Sequence, residues 1–404
     1  MYLSILNDDG SVHRHEIVKN TLLDKSLDGK VGYIGNKSKE LNALSIYKAY
    51  FSNAKAVLVD ETNKVILEEV KSLGIVEFGD TPKQSTSFDS QNFSLTYFTS
   101  GSTGYPIAAL KSKENLELEV ETISVLLQKY SIKKVVVTVP FVHLYGTLFG
   151  LLYPLLNNID IVLKEHFLPH DLLDVVDADT LVVTTPMYIA ALNKLQTEKD
   201  LSKSVFISST APLDVATSRA FKDKLNADII QIFGSTETGG IAYKTNGNSL
   251  WTPLDSVKIS SNEKGELKVS SPFVSKTLYE KGFISTKGEV QTCDYIEEKK
   301  DSFQLIGRSS KILKVAGKRY STIQIENLLE EHSKITKALV FVELDEDTLR
   351  GEYLDITLES KYVFTTTEIK KILRENISNI KFKIKLSIVE SISVNKIGKK
   401  LRIR

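Results

Sequence analysis

Two rhythms of hydrophobic and polar positions divide this chain. Between Ser94 and Glu237, short β-branched runs alternate with stretches of helical period. Ser94–Phe98 is a predicted strand, followed by a Gly/Ser/Thr loop. A helix is then expected over Asn115–Tyr130, where Leu116, Val120, Ile123 and Leu127 share one face. Strand-like runs continue at Lys134–Val139, Ile159–Leu163, Thr180–Thr184, Val205–Ser208 and Asp228–Phe233, and His143–Leu156 reads as a mostly apolar helix. Strands alternating with helices indicate a parallel α/β architecture.

Past Gly240 the rhythm shortens. Val257–Ser260, Glu266–Ser271, Gly288–Cys293 and Phe303–Ile306 read as strands joined by turns, an antiparallel appendage. Beyond Arg308 the strand candidates are Ile312–Val315, Ala338–Glu343, Tyr353–Glu359 and Ile384–Glu390. Helices are predicted over Ile323–His332 and Thr366–Ile377. The fold class is therefore α/β: a large N-terminal α/β domain with an antiparallel β appendage over 1–309, and a small mobile α+β domain over 310–404.

A length of 404 residues exceeds what one small core fills, and 42% hydrophobic with 25% charged residues is ordinary for a globular protein. The net charge of +1 sets up no global field toward nucleic acid, and no such partner is expected. Cys293 is the sole cysteine, which excludes an internal disulfide and disfavours a cysteine-based zinc site. The six histidines are read as showing neither HExxH nor paired ligand spacing. Asp8 and Asp9 stand where a secretory leader carries a basic end, and Tyr145–Leu156, the longest nearly apolar run, is too short to span a bilayer. A soluble, cytoplasmic protein without a membrane span is the expectation.

The strongest chemical signal is the loop Thr99-Ser100-Gly101-Ser102-Thr103-Gly104-Tyr105-Pro106, placed after a strand and before a helix. Its glycines allow close backbone approach and its hydroxyls and N–H groups donate to an anion. Taken alone, such a stretch reads equally well as a surface loop. Neither GxxxxGK[ST] nor GxGxxG occurs, which disfavours a P-loop NTPase or a dinucleotide-binding enzyme.

The loop resembles the TSGSTGxPK signature of the adenylate-forming superfamily, which includes acyl-CoA synthetases, aryl-CoA ligases and adenylation domains. The likeness recurs in the family's order over roughly residues 94 to 404. His143, in Phe141–Gly146, is similar to the family histidine beside the acyl pocket. Ser208–Leu213, with Ala211, resembles the loop beside the adenine. Gln231-Ile232-Phe233-Gly234-Ser235-Thr236-Glu237 looks like the YGxTE segment. The resemblance implies that Phe233 stacks on adenine, Thr236 bonds the α-phosphate and Glu237 is the Mg²⁺ ligand. Thr292-Cys293-Asp294 stands where the family has its TGD-like motif, so Asp294 is assigned to the ribose and Cys293 is read as a small apolar filler. Gly307-Arg308 matches the GR motif. Lys314 and Gly317 lie in a segment resembling the IKxxG loop, and Glu326 falls on the following helix in a structural role. Lys399 takes the place of the adenylating lysine near the C-terminus.

What the resemblance implies is carboxylic-acid activation with ATP and Mg²⁺ through an acyl-adenylate, then acyl transfer to the thiol of CoA or a carrier-protein phosphopantetheine. The implied partners are an aromatic or fatty acid and CoA or acyl carrier protein, and a homodimer is compatible with it. Three departures stand out. Ile107 occupies the family's lysine position after the loop proline, with Lys111 and Lys113 the nearest replacements. Ser309-Ser310 replaces the hinge residue, and the segment before Thr99 is shorter than the family usually carries. The first departure keeps a second reading open, a nucleotide-binding pseudo-enzyme without turnover.

Overall fold

The computed structural model describes residues 1–35, 38–80, 85–100, 106–308, 312–315, 318–344, 352–374, 383–394 and 400. The chain divides into two compact units, one of residues 1–258 and 269–290, the other of 259–268 and 291–404. That partition groups most of the antiparallel strands expected in the large domain with the C-terminal residues.

The larger unit holds two sheets. A nine-stranded sheet runs in the order Thr252–Pro253, Gly239–Thr245, Asp228–Ser235, Val205–Ser208, Thr180–Thr184, Lys134–Val137, Asp160–Leu163, Tyr2–Leu6 and Val12–Glu16. From Asp228–Ser235 through to Tyr2–Leu6 the pairs are parallel. The sequence pattern predicts five of these strands within a residue or two. It misses the N-terminal pair and the antiparallel hairpin that Gly239–Thr245 makes with Asp228–Ser235. A six-stranded sheet, in the order Phe283–Ser285, Thr277–Tyr279, Pro106–Lys111, Leu95–Ser100, Lys55–Leu58 and Val31–Ile34, is mixed. The expectation that a helix follows the glycine-rich loop is corrected here. Pro106–Lys111 is a strand that returns antiparallel along Leu95–Ser100, so the loop caps a hairpin. Its Ile-Ala-Ala-Leu stretch is buried almost throughout, and such a run carries no alternation to mark it as a strand.

The helix Lys113–Leu127 follows. Ser112 Oγ accepts the Asn115 N–H at 3.1 Å and Asn115 Oδ1 accepts the Ser112 N–H at 3.1 Å, a reciprocal cap. Leu116, Val120, Ile123 and Leu127 are buried on its inner face as the period requires, together with Glu119. The apolar helix over Leu144–Leu156 widens to a π-type turn at Leu148–Leu152. It begins against the Pro140 carbonyl oxygen, which would sit 2.1 Å from a Cβ on Gly146, so only glycine lets the chain pass there.

The smaller unit contains most of a four-stranded sheet in the order Lys258–Ser261, Glu266–Ser270, Glu289–Glu298 and Phe303–Arg308. It also holds the hairpin Ile312–Val315/Lys318–Ser321 and a three-stranded sheet of Lys337–Leu344, Glu352–Glu359 and Lys383–Val389. Two helices, Thr322–Glu330 and Thr366–Arg374, bury Ile325, Leu329, Ile369 and Leu373 against that sheet's Val340, Leu354 and Ile356. Among the described residues no helix is long and apolar enough to cross a membrane.

Glu326 has the structural role expected of it. Its Oε1 accepts the Val340 N–H at 3.0 Å, and Lys400 Nζ reaches its Oε2 at 3.1 Å, Glu330 at 2.6 Å and the Ala338 carbonyl at 2.8 Å. Removing the ammonium strands a nearly buried carboxylate. Lys400→Met is therefore expected to lower stability by about 1–3 kcal/mol in urea denaturation, as for hydrogen bonds to charged groups. Glu326→Gln, which keeps the Val340 acceptor, should cost less.

Candidate active site

Three parallel strands of the nine-stranded sheet end side by side, and they and the turns after them carry Ala211, Gln231, Ile232, Phe233, Thr236 and Glu237. Ser208 is paired with Gln231, so Asp228–Ser235 runs four residues beyond its neighbour before turning at Thr236–Thr238. The carboxyl edge of a parallel sheet is where open α/β folds bind ligands, because the strand ends leave polar groups and loops facing a crevice. Buried polar atoms without partners collect here: Thr185 Oγ1 just past Thr180–Thr184, Ser208 Oγ and Gln231 Nε2. A wholly buried donor lacking an acceptor costs about 1–3 kcal/mol, which a bound ligand's acceptors remove.

Around that edge, Ser209 Oγ donates to the Ile232 carbonyl at 2.9 Å, and Thr210 takes a left-handed φ of 76° that turns the chain into Ala211. Ile232 is buried, while Phe233 is half-exposed with its ring 5.5 Å from that of Trp251. Lys244 Nζ stands 4.7 Å from the indole centroid. Trp251 is a neighbour the sequence reading did not include. Its place follows from the Gly239–Thr245 hairpin, and a lone tryptophan beside a nucleotide-like motif was the available signal.

The Thr236–Glu237 turn is held from both ends. Ser235 and Thr238 cross-link, with Ser235 N donating to Thr238 Oγ1 at 3.1 Å and Thr238 N to Ser235 Oγ at 3.2 Å. From outside the turn, the Glu237 carbonyl accepts the Ser275 N–H at 2.9 Å and Lys111 Nζ at 3.2 Å. Lys111 is fully buried and donates also to the Phe273 carbonyl at 2.6 Å. Glu119 Oε1 accepts the Gly240 N–H at 2.6 Å, and its Oε2 has no hydrogen-bond partner among the described residues. Burial pushes the Lys111 pKa down, opposed by the charges of Glu119 and Glu237. Burial likewise pushes Glu119 up, opposed by Lys111 and the Gly240 N–H. Gly239 faces Glu119 Oε2 at 2.6 Å from where a Cβ would stand, at a φ of 72°. A charged residue on the apolar stripe of Lys113–Leu127 was the sequence signal for this network.

At the glycine-rich loop, Thr99 pairs with Ile107 and its Oγ1 donates to the Ile107 carbonyl at 3.4 Å, while Ser100 pairs with Pro106. Gly101, Ser102, Thr103 and Gly104 lie outside the described residues. The two lysines proposed to replace the one missing at Ile107 are both engaged elsewhere. Lys111 is spent on the carbonyls above, and Lys113 Nζ sits over the Tyr50 ring, 4.5 Å from its centroid. His143 caps the helix start at Leu144 without a side-chain hydrogen bond to it. Desolvation holds its imidazole below the ordinary histidine range, with the charge of Asp60 opposing, so at pH 7 it is neutral.

In the smaller unit, Asp294 is buried on Glu289–Glu298, directly across from Arg308, and its N–H donates to Thr292 Oγ1 at 3.1 Å. Cys293, read as an apolar filler, is exposed instead, because strand alternation turns it away from the face that buries Asp294. Lys314 lies opposite Arg319 in its hairpin. Gly317 and Lys399 lie outside the described residues. Val394 and Lys400 form an isolated antiparallel bridge.

A family model described as AMP-binding enzyme matches residues 34–279, more than half of the chain. The chain belongs to the AMP-binding enzyme family. The match begins well upstream of Ser94, where the sequence likeness was first legible. A 4-coumarate–CoA ligase of Halorhodospira halophila is 25% identical over 67% of this chain and 65% of that protein, so the chain spans under two thirds of that relative's length. A long-chain-fatty-acid–CoA ligase of Bacillus subtilis (strain 168) is 23% identical over 88% of this chain and 71% of its own length. Among solved structures, the o-succinylbenzoate CoA synthetase (MenE) of Bacillus subtilis with its acyl-adenylate intermediate superposes with a TM-score of 0.80. Identity there is 16%, covering 99% of this chain and 94% of that one. ATP-bound MatB from Rhodopseudomonas palustris gives 0.76 at 16% identity, over 98% and 93% of the two chains. These two share the fold: a large and a smaller domain of mixed α/β structure.

Within this AMP-binding enzyme, the Lys111–Glu119 pair predicts a measurable coupling. Lys111→Met leaves Glu119 without the opposing charge of Lys111 and the Glu237 and Phe273 carbonyls without their donor, and is expected to cost about 1–3 kcal/mol, the range for hydrogen bonds to charged groups. Adding Glu119→Gln should restore part of that loss, so the double variant is more stable than the sum of the singles, as urea denaturation of all four proteins would show.

Proposed function

We propose that this AMP-binding enzyme activates a carboxylic acid with ATP and then passes the acyl group to a thiol, of CoA or of a carrier-protein phosphopantetheine. The observation that carries the reading is the carboxyl edge. Orphaned donors on Ser208 and Gln231, the half-exposed aromatic Phe233 and the cross-linked Thr236–Glu237 turn all lie along it. A planar base with ring acceptors satisfies the donors and stacks on the ring, while the turn presents a hydroxyl and a carboxylate to phosphate and its counter-ion.

In the first half-reaction a carboxylate oxygen of the acid attacks the α-phosphorus, and the bond to pyrophosphate breaks. Thr99, Ser100 and the loop through Gly104 donate to the β- and γ-phosphates, and Thr236 donates to the α-phosphate. Glu237 would hold Mg²⁺ through a hard carboxylate oxygen, and the ion, when bound, would supply charge neutralisation at the phosphates. Asp294 accepts from the ribose hydroxyls, with Arg308 beside it. Lys399 brings a positive charge to the reacting carboxylate and phosphate. Neutral His143 borders the acyl group without adding charge to it. In the second half-reaction the thiol sulfur attacks the acyl carbon and AMP leaves. The residues beyond Ser310 rotate between the two steps, withdrawing Lys399 and presenting Lys314 and Gly317.

One specific observation favours the rival reading of a pseudo-enzyme that binds nucleotide without turnover. The loop lacks its lysine at Ile107, and both nearby lysines are committed elsewhere. Carboxylate-dependent exchange of pyrophosphate into ATP separates the two, because only an adenylating enzyme supports it.

Glu237→Gln is expected to keep the fold and suppress that exchange at low Mg²⁺. Exchange at the wild-type rate across all Mg²⁺ concentrations would move the metal ligand elsewhere. Lys399→Ala should slow adenylation about a hundredfold or more, comparable to losing one preorganised donor, and leave thioester formation from supplied acyl-adenylate nearly intact. Ser310→Pro, which fixes φ at the proposed pivot, should show the opposite profile. Equal impairment of both steps by both variants would rule out the rotating lid.

A further inference from the structure

The edge strand Val12–Glu16 pairs antiparallel with Tyr2–Leu6, placing His15 opposite Leu3 and His13 opposite Ile5. Leu3 and Ile5 are buried in the core cluster that also contains Ile46 and Tyr47 of the helix Lys39–Phe51. Residues opposite one another share a face of a sheet, so both imidazoles stand on the helix-covered face, at the rim where the apolar core runs out. Arg14 between them takes the other face. Paired ligand spacing is therefore present among the histidines after all. The triplet His13-Arg14-His15 fits no helical motif, but i and i+2 on a strand are neighbours.

The two rings lie 4.5 Å apart at 84°, and His15 Nε2 is 2.6 Å from Glu40 Oε1 in the first turn of that helix. One ligand atom from each of His13, His15 and Glu40 lies within 4.8 Å of the other two, and no other such trio occurs among the described residues. Tetrahedral zinc with bonds of about 2.0–2.1 Å spaces its ligand atoms roughly 3.3 Å apart. His13 is the exposed member of the trio, and a turn of its side chain is the movement the proposal requires to close the difference. The nearest lysine on the helix does not compete. Lys39 Nζ donates to the carbonyls of Thr138 and Lys164, at 3.1 Å each.

We propose that His13, His15 and Glu40 bind a transition-metal dication of the zinc class, clamping the edge strand to the start of the helix. Two imidazole nitrogens and one carboxylate oxygen suit Zn²⁺, Cu²⁺, Ni²⁺ or Co²⁺, whereas Mg²⁺ takes oxygen ligands. Three protein ligands leave a coordination position to water. The site is separate in residues and in ligand hardness from the Mg²⁺ role proposed for Glu237. Binding exchanges the His15–Glu40 hydrogen bond for two bonds to one ion.

The test uses tag-free full-length chain stripped with a chelator and titrated with zinc chloride against a chromophoric competitor, with and without excess magnesium chloride. One zinc per chain is expected, undisturbed by magnesium, with a rise in melting temperature. His13→Ala and Glu40→Gln should each weaken binding about tenfold or more, in line with the effect of perturbing a metal site. A His166→Ala/His170→Ala variant should bind as wild type does. Cobalt(II) should give the visible absorption of a low-coordinate nitrogen and oxygen site. The proposal is overturned if the stripped chain takes up no stoichiometric zinc. It fails equally if the variant lacking all three side chains, folded by circular dichroism, binds zinc as tightly as wild type.

Discussion

One buried ammonium ties together segments of the larger unit that are distant in sequence. Lys111 closes the strand that leaves the glycine-rich loop, yet its Nζ is spent on the carbonyls of Glu237 and Phe273. Glu119, on the next helix, supplies the negative charge that lets a lysine ionise away from water and takes the Gly240 N–H in return. A pair of this kind adds little net stability over an apolar replacement, since desolvation offsets most of the attraction. What it contributes is geometry: the Thr236–Thr238 turn cannot drift from the strand or from the 271–275 turn without leaving a charge exposed to hydrocarbon. Ser275, whose N–H shares the Glu237 carbonyl, adds a backbone contact to the same point.

That constraint explains how a half-exposed carboxylate can be presented reproducibly at the end of a strand. Strand ends fray, and a polar turn after an eight-residue strand has few contacts of its own. Here the main chain at and just after the turn is pinned by Lys111, Ser275 and Glu119, so the Glu237 side chain is not needed to hold it. The same economy appears in the smaller unit. Lys400 is fixed by Glu326, Glu330 and Ala338, next to the residue proposed to act in adenylation. In both places a lysine anchors the main chain close to a residue proposed to act in the reaction.

The departure at Ile107 takes on a sharper form in this light. A lysine at the mouth of the loop would bring positive charge to a polyphosphate, and the neighbouring lysines have been given other work. Lys113 lies over the Tyr50 ring, where its attraction to the π face competes with any reach toward the loop. Under the proposed function, charge for the phosphates comes from backbone N–H groups, from a counter-ion held by Glu237 or from residues beyond Ser310.

Much of the architecture was legible in the sequence. Strands at Thr180–Thr184 and Val205–Ser208, the helix at Lys113–Leu127 and the ordered series of motifs follow from local period and residue type. Such features depend on near neighbours alone. Other features were not legible, each for a reason of distance. Pro106–Lys111 is a strand because Leu95–Ser100 and Thr277–Tyr279 flank it, and buried on both sides it shows no alternation. Cys293 and Asp294 are adjacent, yet pairing sends one to water and the other inward. Lys111 and His13-Arg14-His15 look like ordinary polar residues until a partner 126 positions away in one case, or a helix 25 positions away in the other, supplies the carbonyl or carboxylate that gives them a role. The sequence by itself determined the family and the order of the chemical motifs, because these are written in contiguous residue types. The tertiary structure alone decided which charged groups are buried together, because desolvation and pairing depend on what lies within a few ångströms in space and not along the chain.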